Sequence, residues 1–133
     1  MFDKVVTDKA PRAIGPYSQA IKFQNFIYTS GQIALDPQTG EIIGDNIIDQ
    51  TEQVMKNIIA VLDAADSNVN NIIKTTCFLT DMSDFLKFNE VYSKYITVFS
   101  ARSCVEVKSL PKNALVEVEV IAIKNQQNNH VRQ

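Results

Sequence analysis

Ala114-Leu-Val-Glu-Val-Glu-Val-Ile-Ala-Ile123 decides the fold. Ala114, Val116, Val118, Val120 and Ala122 fall on one side; Leu115, Glu117, Glu119, Ile121 and Ile123 fall on the other. A period of two is that of a β-strand. Apolar residues stand on both sides, so both faces of its sheet need cover. Just upstream, Arg102–Val107 reads as another strand, joined to it through the turn Ser109-Leu-Pro-Lys-Asn113. Ile72–Thr80 is strand-like as well. Phe26-Ile-Tyr-Thr-Ser-Gly-Gln-Ile-Ala-Leu35 is β-rich, and its interior Gly31 marks a bulge or a close backbone approach.

Helical periodicity appears twice. In Ile47–Ala65 a stripe runs through Ile47, Val54, Ile58, Leu62 and Ala65, flanked by Met55 and Ile59, with Asp45 or Asn46 as N-cap. A second helix spans about Asp84 to Ile96, with Phe85, Phe88, Tyr92 and Tyr95 on one face and Ser83 as its expected cap. Both stripes read as core. The element order β-β-β-α-β-α-β-β, with a right-handed crossover into Ile72–Thr80, predicts an α+β fold with two helices on one face of a mixed sheet. Two helices cover one face, which leaves the other as an interface between copies or a ligand groove. Oligomerisation is the expected use.

The chain has 133 residues, enough for one domain with a substantial core; 45% are hydrophobic, and the net charge is −2. That charge argues against a surface that neutralises many phosphates. MFDKVVTDKA, residues 1–10, has no apolar signal-peptide core, and no run is long enough to span a bilayer. A cytoplasmic location is expected, with a mitochondrial one left open. The expected domain is 1–124, followed by a polar tail, 125–133, that carries the only histidine, His130. A tail histidine has no fixed geometry, so histidine triads and His-ligated metals are not expected. Glycine-rich phosphate loops are absent as well.

Arg102 and Glu117 carry the most chemistry. If their two strands pair as an antiparallel hairpin, one register sets Arg102 opposite Glu117 and another sets it opposite Val120. A cross-strand ion pair is one reading. The other is a small-anion site in which Arg102 offers a two-pronged donor and Glu117 handles water or a proton. Cys104 shares the face of Arg102, and both Cys77 and Cys104 read as buried structural thiols because no base stands beside them. Gly15-Pro16 sets a turn that could hold Tyr17 rigidly. Asp36-Pro-Gln-Thr-Gly40 is a turn.

Ala10-Pro-Arg-Ala-Ile-Gly-Pro-Tyr-Ser-Gln-Ala20, Thr29-Ser-Gly-Gln-Ile33 with Asp36–Gly40, Arg102-Ser-Cys-Val-Glu-Val107, Leu110-Pro111 and Val116-Glu-Val-Glu119 together resemble the signature blocks of the Rid family. These are the RidA-type, YjgF-like deaminases of reactive imines and enamines, also labelled endoribonuclease L-PSP. The resemblance runs from about Val5 to Ile123. It implies a chorismate mutase-like fold, a homotrimer and active sites in clefts between subunits. Arg102 matches the family's carboxylate-binding arginine, Cys104 a neighbouring backbone contact, and Glu117 its glutamate. Tyr17 matches the tyrosine lining the pocket, Ser30 and Gly31 its floor, and Asn89 the helix asparagine. The chain departs from the family pattern at Phe99-Ser-Ala-Arg102, where Phe-Pro-Ala-Arg is usual, and in a shorter connector between Asn89 and Arg102.

The implied substrates are imines and enamines released by pyridoxal-phosphate dehydratases, 2-iminobutanoate and 2-iminopropanoate among them, with a 2-oxoacid and ammonia as products. No metal or organic cofactor is implied, and neither membrane nor nucleic acid is an expected partner. Two rival readings are an endoribonuclease or translation inhibitor, which some family members are labelled, and a non-catalytic trimer that binds small carboxylates.

Overall fold

Asn46 starts the first helix, α1 (Ile47–Ala64), because its side chain accepts the Asp49 amide at 2.9 Å while its own amide donates to the Asp49 carboxylate at 2.9 Å. The cap satisfies one of the backbone donors which a helix N-terminus otherwise leaves open, and the bond from the Asn46 side-chain Nδ2 holds the capping side chain in place. Gly44, with φ +90°, lets the preceding turn pass close to Asp49, where a Cβ would lie 2.6 Å from that residue's own Cβ. The computed structural model describes residues 1–126; His130 and the rest of the stretch 127–133 lie outside the described residues. Asn125 is bonded to the body, its amide donating to the Asp66 carbonyl at 2.8 Å and its side chain accepting from Asn68 and Asn71.

The strands are β1 (Asp3–Val5), β2 (Ala20–Phe23), β3 (Phe26–Thr29), β4 (Ile72–Leu79), β5 (Ala101–Glu106) and β6 (Val116–Ile123), and the second helix is α2 (Phe85–Tyr95). They form one six-stranded sheet in the order β1-β2-β3-β6-β4-β5. All neighbours are antiparallel except β4 and β5. Because β3 and β4 both run antiparallel to β6, they are parallel to each other, which is the geometry expected of a strand-helix-strand crossover. The architecture is the expected α+β one, with two helices on one face of a mixed sheet.

Val116, Val118, Val120 and Ala122 of β6 are buried together with Thr75, Cys77 and Leu79 of β4. Val54, Ile58, Val61 and Leu62 of α1 and Phe88 and Tyr92 of α2 complete this core. The opposite face has no covering layer in the protomer. Phe23, Phe26, Tyr28 and Val105 stand there at 36–44% exposure. An apolar face of this kind marks an interaction surface.

Three expectations need correction. The strands holding Arg102 and Glu117 are not a hairpin: β4 lies between them, pairing in parallel with β5 and antiparallel with β6. The connection from Val107 to Leu115 is longer than a hairpin loop and crosses the end of β4, where Val107 N donates to Leu79 O and Thr80 N donates to Leu115 O. Ser83 does not cap α2; Asp81 caps a 3-10 turn, Met82–Asp84, that runs straight into the helix. The stretch Phe26–Leu35 is not one strand. Beyond Thr29 it turns away from the sheet and touches it again through a bridge between Gln32 and Val118.

Candidate functional site

Arg102 sits on β5, the edge strand, opposite Thr75 of β4, and Thr75 is in turn opposite Val120 of β6. Directly opposed residues share a face, so Arg102 is on the helix side. There its Nη1 donates to Asn89 Oδ1 of α2 at 2.7 Å. Its guanidinium carbon lies 4.9 Å from the Tyr92 ring centre and 5.4 Å from that of Phe85. The Tyr92 hydroxyl is fixed from below by a buried hydrogen bond to Thr75 Oγ1 at 2.7 Å. Burial raises the Tyr92 pKa, so the hydroxyl stays protonated and the ring stays anchored. Two rings and one amide thus hold an otherwise flexible side chain, leaving most of its five N–H donors free for a planar anion. With Asn89 and Tyr92, Arg102 lines a cavity of about 290 Å³.

Cys104 lies two residues further along the same face, directly opposite Cys77. Both thiols are free. Cys77 is fully buried as expected, and burial pushes its pKa up to about 12. Cys104 is half-buried instead of buried, because the edge strand has a neighbour on one side only. Burial raises its pKa too, against the opposing pull of Arg102, so neither sulfur is primed as a thiolate nucleophile.

The other predicted residues gather elsewhere. Tyr17, Ser30, Gly31 and Glu117 line a second cavity of about 460 Å³, together with Arg12 and Glu119. Gly31 is where the close approach announced by its sequence position occurs, since a Cβ there would overlap the Glu117 carboxylate. Paired backbone bonds between Gln32 and Val118, at 2.8 and 3.1 Å, hold Gly31 against β6. Burial raises the Glu117 pKa above the ordinary carboxylate value, and the Glu119 charge raises it further. Tyr17 follows the Gly15 turn at φ +128°, and half of it is exposed to the cavity mouth.

Sequence reading missed the side chain that fastens this cavity. Gln19 is 4% exposed; its Oε1 accepts from Thr7 N at 2.8 Å, and its Nε2 donates to the carbonyls of Thr7 and Pro11 at 3.0 and 2.7 Å. Its carbonyl also accepts the Ser30 amide at 2.9 Å. Through its side-chain amide and its backbone carbonyl, Gln19 therefore ties the loop bearing Pro11 and Arg12 to the floor bearing Ser30. Nothing in a lone glutamine announces this. Phe85 and Tyr92 were legible only as core, although their rings also carry Arg102.

The two groups of residues lie on opposite faces of the sheet. Glu117 is three positions from Val120 along β6, which places it on the open face, and two strand spacings separate it from β5. Arg102 and Glu117 are then roughly 14 Å apart at their backbones and point to opposite sides. One protomer does not bring them together. Among the described residues no cluster of His, Cys, Asp and Glu has the geometry to hold a metal ion, and no helix is long and apolar enough to cross a membrane.

A mixed sheet backed by two helices, with a held arginine on its edge strand and a desolvated glutamate on its open face, defines an α+β protein. A family model described as Endoribonuclease L-PSP matches residues 7–124. The chain belongs to this family, the Rid or YjgF-like proteins. It is 52% identical over 125 residues to a RutC family protein of Pyrococcus horikoshii, covering 93% of this chain and 99% of that one. It is 47% identical over 119 residues to a protein of Arabidopsis thaliana named Reactive Intermediate Deaminase A, chloroplastic, covering 89% of this chain and 64% of that one. Among solved structures, the Rid family protein YyfA of Yersinia pestis superposes with a TM-score of 0.90 at 48% identity, covering 92% and 99% of the two chains. TdcF of Escherichia coli, crystallised with bound serine, superposes at 0.88 and 42% identity, again over 92% and 99%.

Proposed function

We propose that this protein is a homotrimeric hydrolase of 2-imino acids and their enamine tautomers, 2-iminobutanoate and 2-iminopropanoate among them, with each active site shared between two subunits. The observation that carries the reading is the separation of Arg102 from Glu117 onto opposite faces of one sheet. A second copy packed on the apolar open face would bring the Tyr17–Ser30–Gly31–Glu117 cavity of one subunit against the Arg102–Asn89–Cys104 edge of the next. Three copies close such a head-to-tail contact into a ring.

In this site Arg102 clamps the substrate carboxylate through two parallel N–H donors, and Asn89 fixes the angle of the clamp. The backbone at Cys104 meets the nitrogen end, Ser30 and Gly31 form the floor, and Tyr17 closes the mouth. Glu117 orients a water molecule and takes its proton as oxygen adds to C2. The resulting carbinolamine receives that proton on nitrogen, its C2 hydroxyl passes its own proton through Glu117 to the departing nitrogen as the C2–N bond breaks, and a 2-oxoacid and ammonia leave. An enamine first takes a proton at C3 to become the imine. A glutamate with a raised pKa suits both proton transfers, since it is a stronger base when ionised and holds its proton at higher pH. The name of the Arabidopsis relative supports the reaction class.

The family description also carries an endoribonuclease reading. Against it stands a cavity lined by two glutamates and one arginine, which repels a phosphodiester more than it attracts one. The test couples a pyridoxal-phosphate threonine dehydratase to this protein, with semicarbazide competing for the released imine. Faster 2-oxobutanoate formation is expected with wild type, and an acceleration smaller by roughly two orders of magnitude with Arg102→Ala or Arg102→Lys, because neither a methyl nor an ammonium can reproduce the fork. No acceleration by wild type overturns the proposal.

A further inference from the structure

Phe99 combines two properties that seldom meet. Its φ is +52°, in the left-handed region where a bulky side chain crowds its own backbone. Its ring is 94% exposed, so no burial within the protomer offsets that strain. The residue belongs to the short connection between α2 and β5, and it lines the cavity that also holds Arg102, Asn89 and Tyr92. Backbone strain retained at the rim of a binding cavity points to a role for the displaced side chain.

A proline at 100 would disfavour α-type backbone at 99 and favour extended backbone. Residue 100 is a serine, which puts no such restriction on the backbone of Phe99. Ser100 Oγ is buried beside the Tyr92 hydroxyl. Ile96 and the Tyr92 ring complete an apolar lining around the Arg102 guanidinium.

We infer that Phe99 is a specificity-determining residue whose ring forms an apolar wall of the Arg102 cavity and selects carboxylate substrates with longer aliphatic side chains. The inference rests on the reading of Arg102 as the carboxylate clamp. Once the carboxylate is seated there, the substituent on C2 lies beside the apolar rim, and each methylene covered by the ring is removed from water. A substrate with a single methyl reaches less of that wall than one with a branched chain.

The test compares kcat/KM for 2-iminopropanoate and for the imine of 4-methyl-2-oxopentanoate, generated by an amino-acid oxidase, in wild type and in Phe99→Ala, Phe99→Gly and Ser100→Pro. The ratio of the longer to the shorter imine is expected to fall about tenfold in all three. In Phe99→Gly it falls while Tm holds or rises, because glycine adopts φ +52° without strain. A merely structural Phe99 would move Tm and the trimer and leave the ratio alone, and that outcome overturns the inference. Equal loss for both imines does so too. If wild type hydrolyses neither imine, it is the proposed function that fails. The selectivity is then read from calorimetric Kd values for pyruvate and 4-methyl-2-oxopentanoate, where the same tenfold change in ratio is expected and an unchanged ratio refutes it.

Discussion

Mixing two inactive variants tests the shared site directly. Arg102→Ala removes the clamp and leaves Glu117; Glu117→Ala does the reverse. Loss of a charge-assisted hydrogen-bonded contact costs about 3 kcal/mol, which is roughly two orders of magnitude in rate. Each variant alone should therefore retain about 1% of wild-type imine hydrolysis by that arithmetic. In a randomly mixed trimer a site works when the subunit giving Arg102 is the glutamate variant and the neighbour giving Glu117 is the arginine variant. For equal amounts the two chances are one half each, so about one quarter of wild-type activity returns, far above either parent. The roughly 14 Å and the intervening strand between the two backbones are what make this outcome necessary if both residues act on one substrate. The assay is semicarbazide competition on trimers refolded from a common denatured pool, with each variant refolded alone as the control. A mixture no more active than its parents, from trimers shown by mass spectrometry to have exchanged subunits, refutes the shared site.

Further outcomes are expected. Gly31→Ala forces the Glu117 carboxylate out of its position, because the added Cβ would occupy the same space; activity should fall as far as in Glu117→Ala while Tm changes little, and full activity would show that the carboxylate is not needed there. Glu117 must be ionised to act as a base, and its raised pKa places the acid limb of the kcat/KM profile above the ordinary glutamate value. Glu119→Gln removes the secondary cause of that shift, so the limb should move to lower pH; a limb that stays put would exclude the Glu119 charge as a contributor. Since the folded state holds the Glu117 proton more tightly than the unfolded chain does, this residue's linkage makes stability fall as pH rises through the window between the two pKa values. Leu62→Ala should cost about 3 kcal/mol by chemical denaturation, because Leu62 is fully buried between α1 and the sheet. A cost below about 1 kcal/mol would mean that the core collapses around the lost atoms.

The parts of the fold that came through in the sequence are those set by local periodicity. The stripe from Ile47 to Leu62 and the alternation from Val116 to Ile123 each need one face buried, and the structure buries them. Ser83 was the wrong cap for a local reason of the same kind. Asp81, two residues earlier, has the stronger acceptor, and it takes both the amide and the hydroxyl of Ser83. Strand order was not legible, because pairing partners are chosen by the crossover helices, and α2 returns the chain parallel to β4 instead of beside β6.

The place of β4 between β5 and β6 bears directly on the site. An antiparallel hairpin would allow Arg102 and Glu117 to face each other as an ion pair, each neutralising the other and lowering the glutamate pKa. With β4 between them, Glu117 loses its counter-charge, keeps only Glu119 for electrostatic company and is desolvated against Gly31. Its pKa rises instead of falling. Arg102, released from the same pair, is held by an amide and two rings that take up one of its donors and leave the others for a ligand. Separation by one strand thus leaves the two charges apart, one on each face of the sheet. The insertion of β6 between β3 and β4 is the topological cause. It fills the sheet's centre with the Val116–Ile123 alternation and sends Glu117 to the uncovered face.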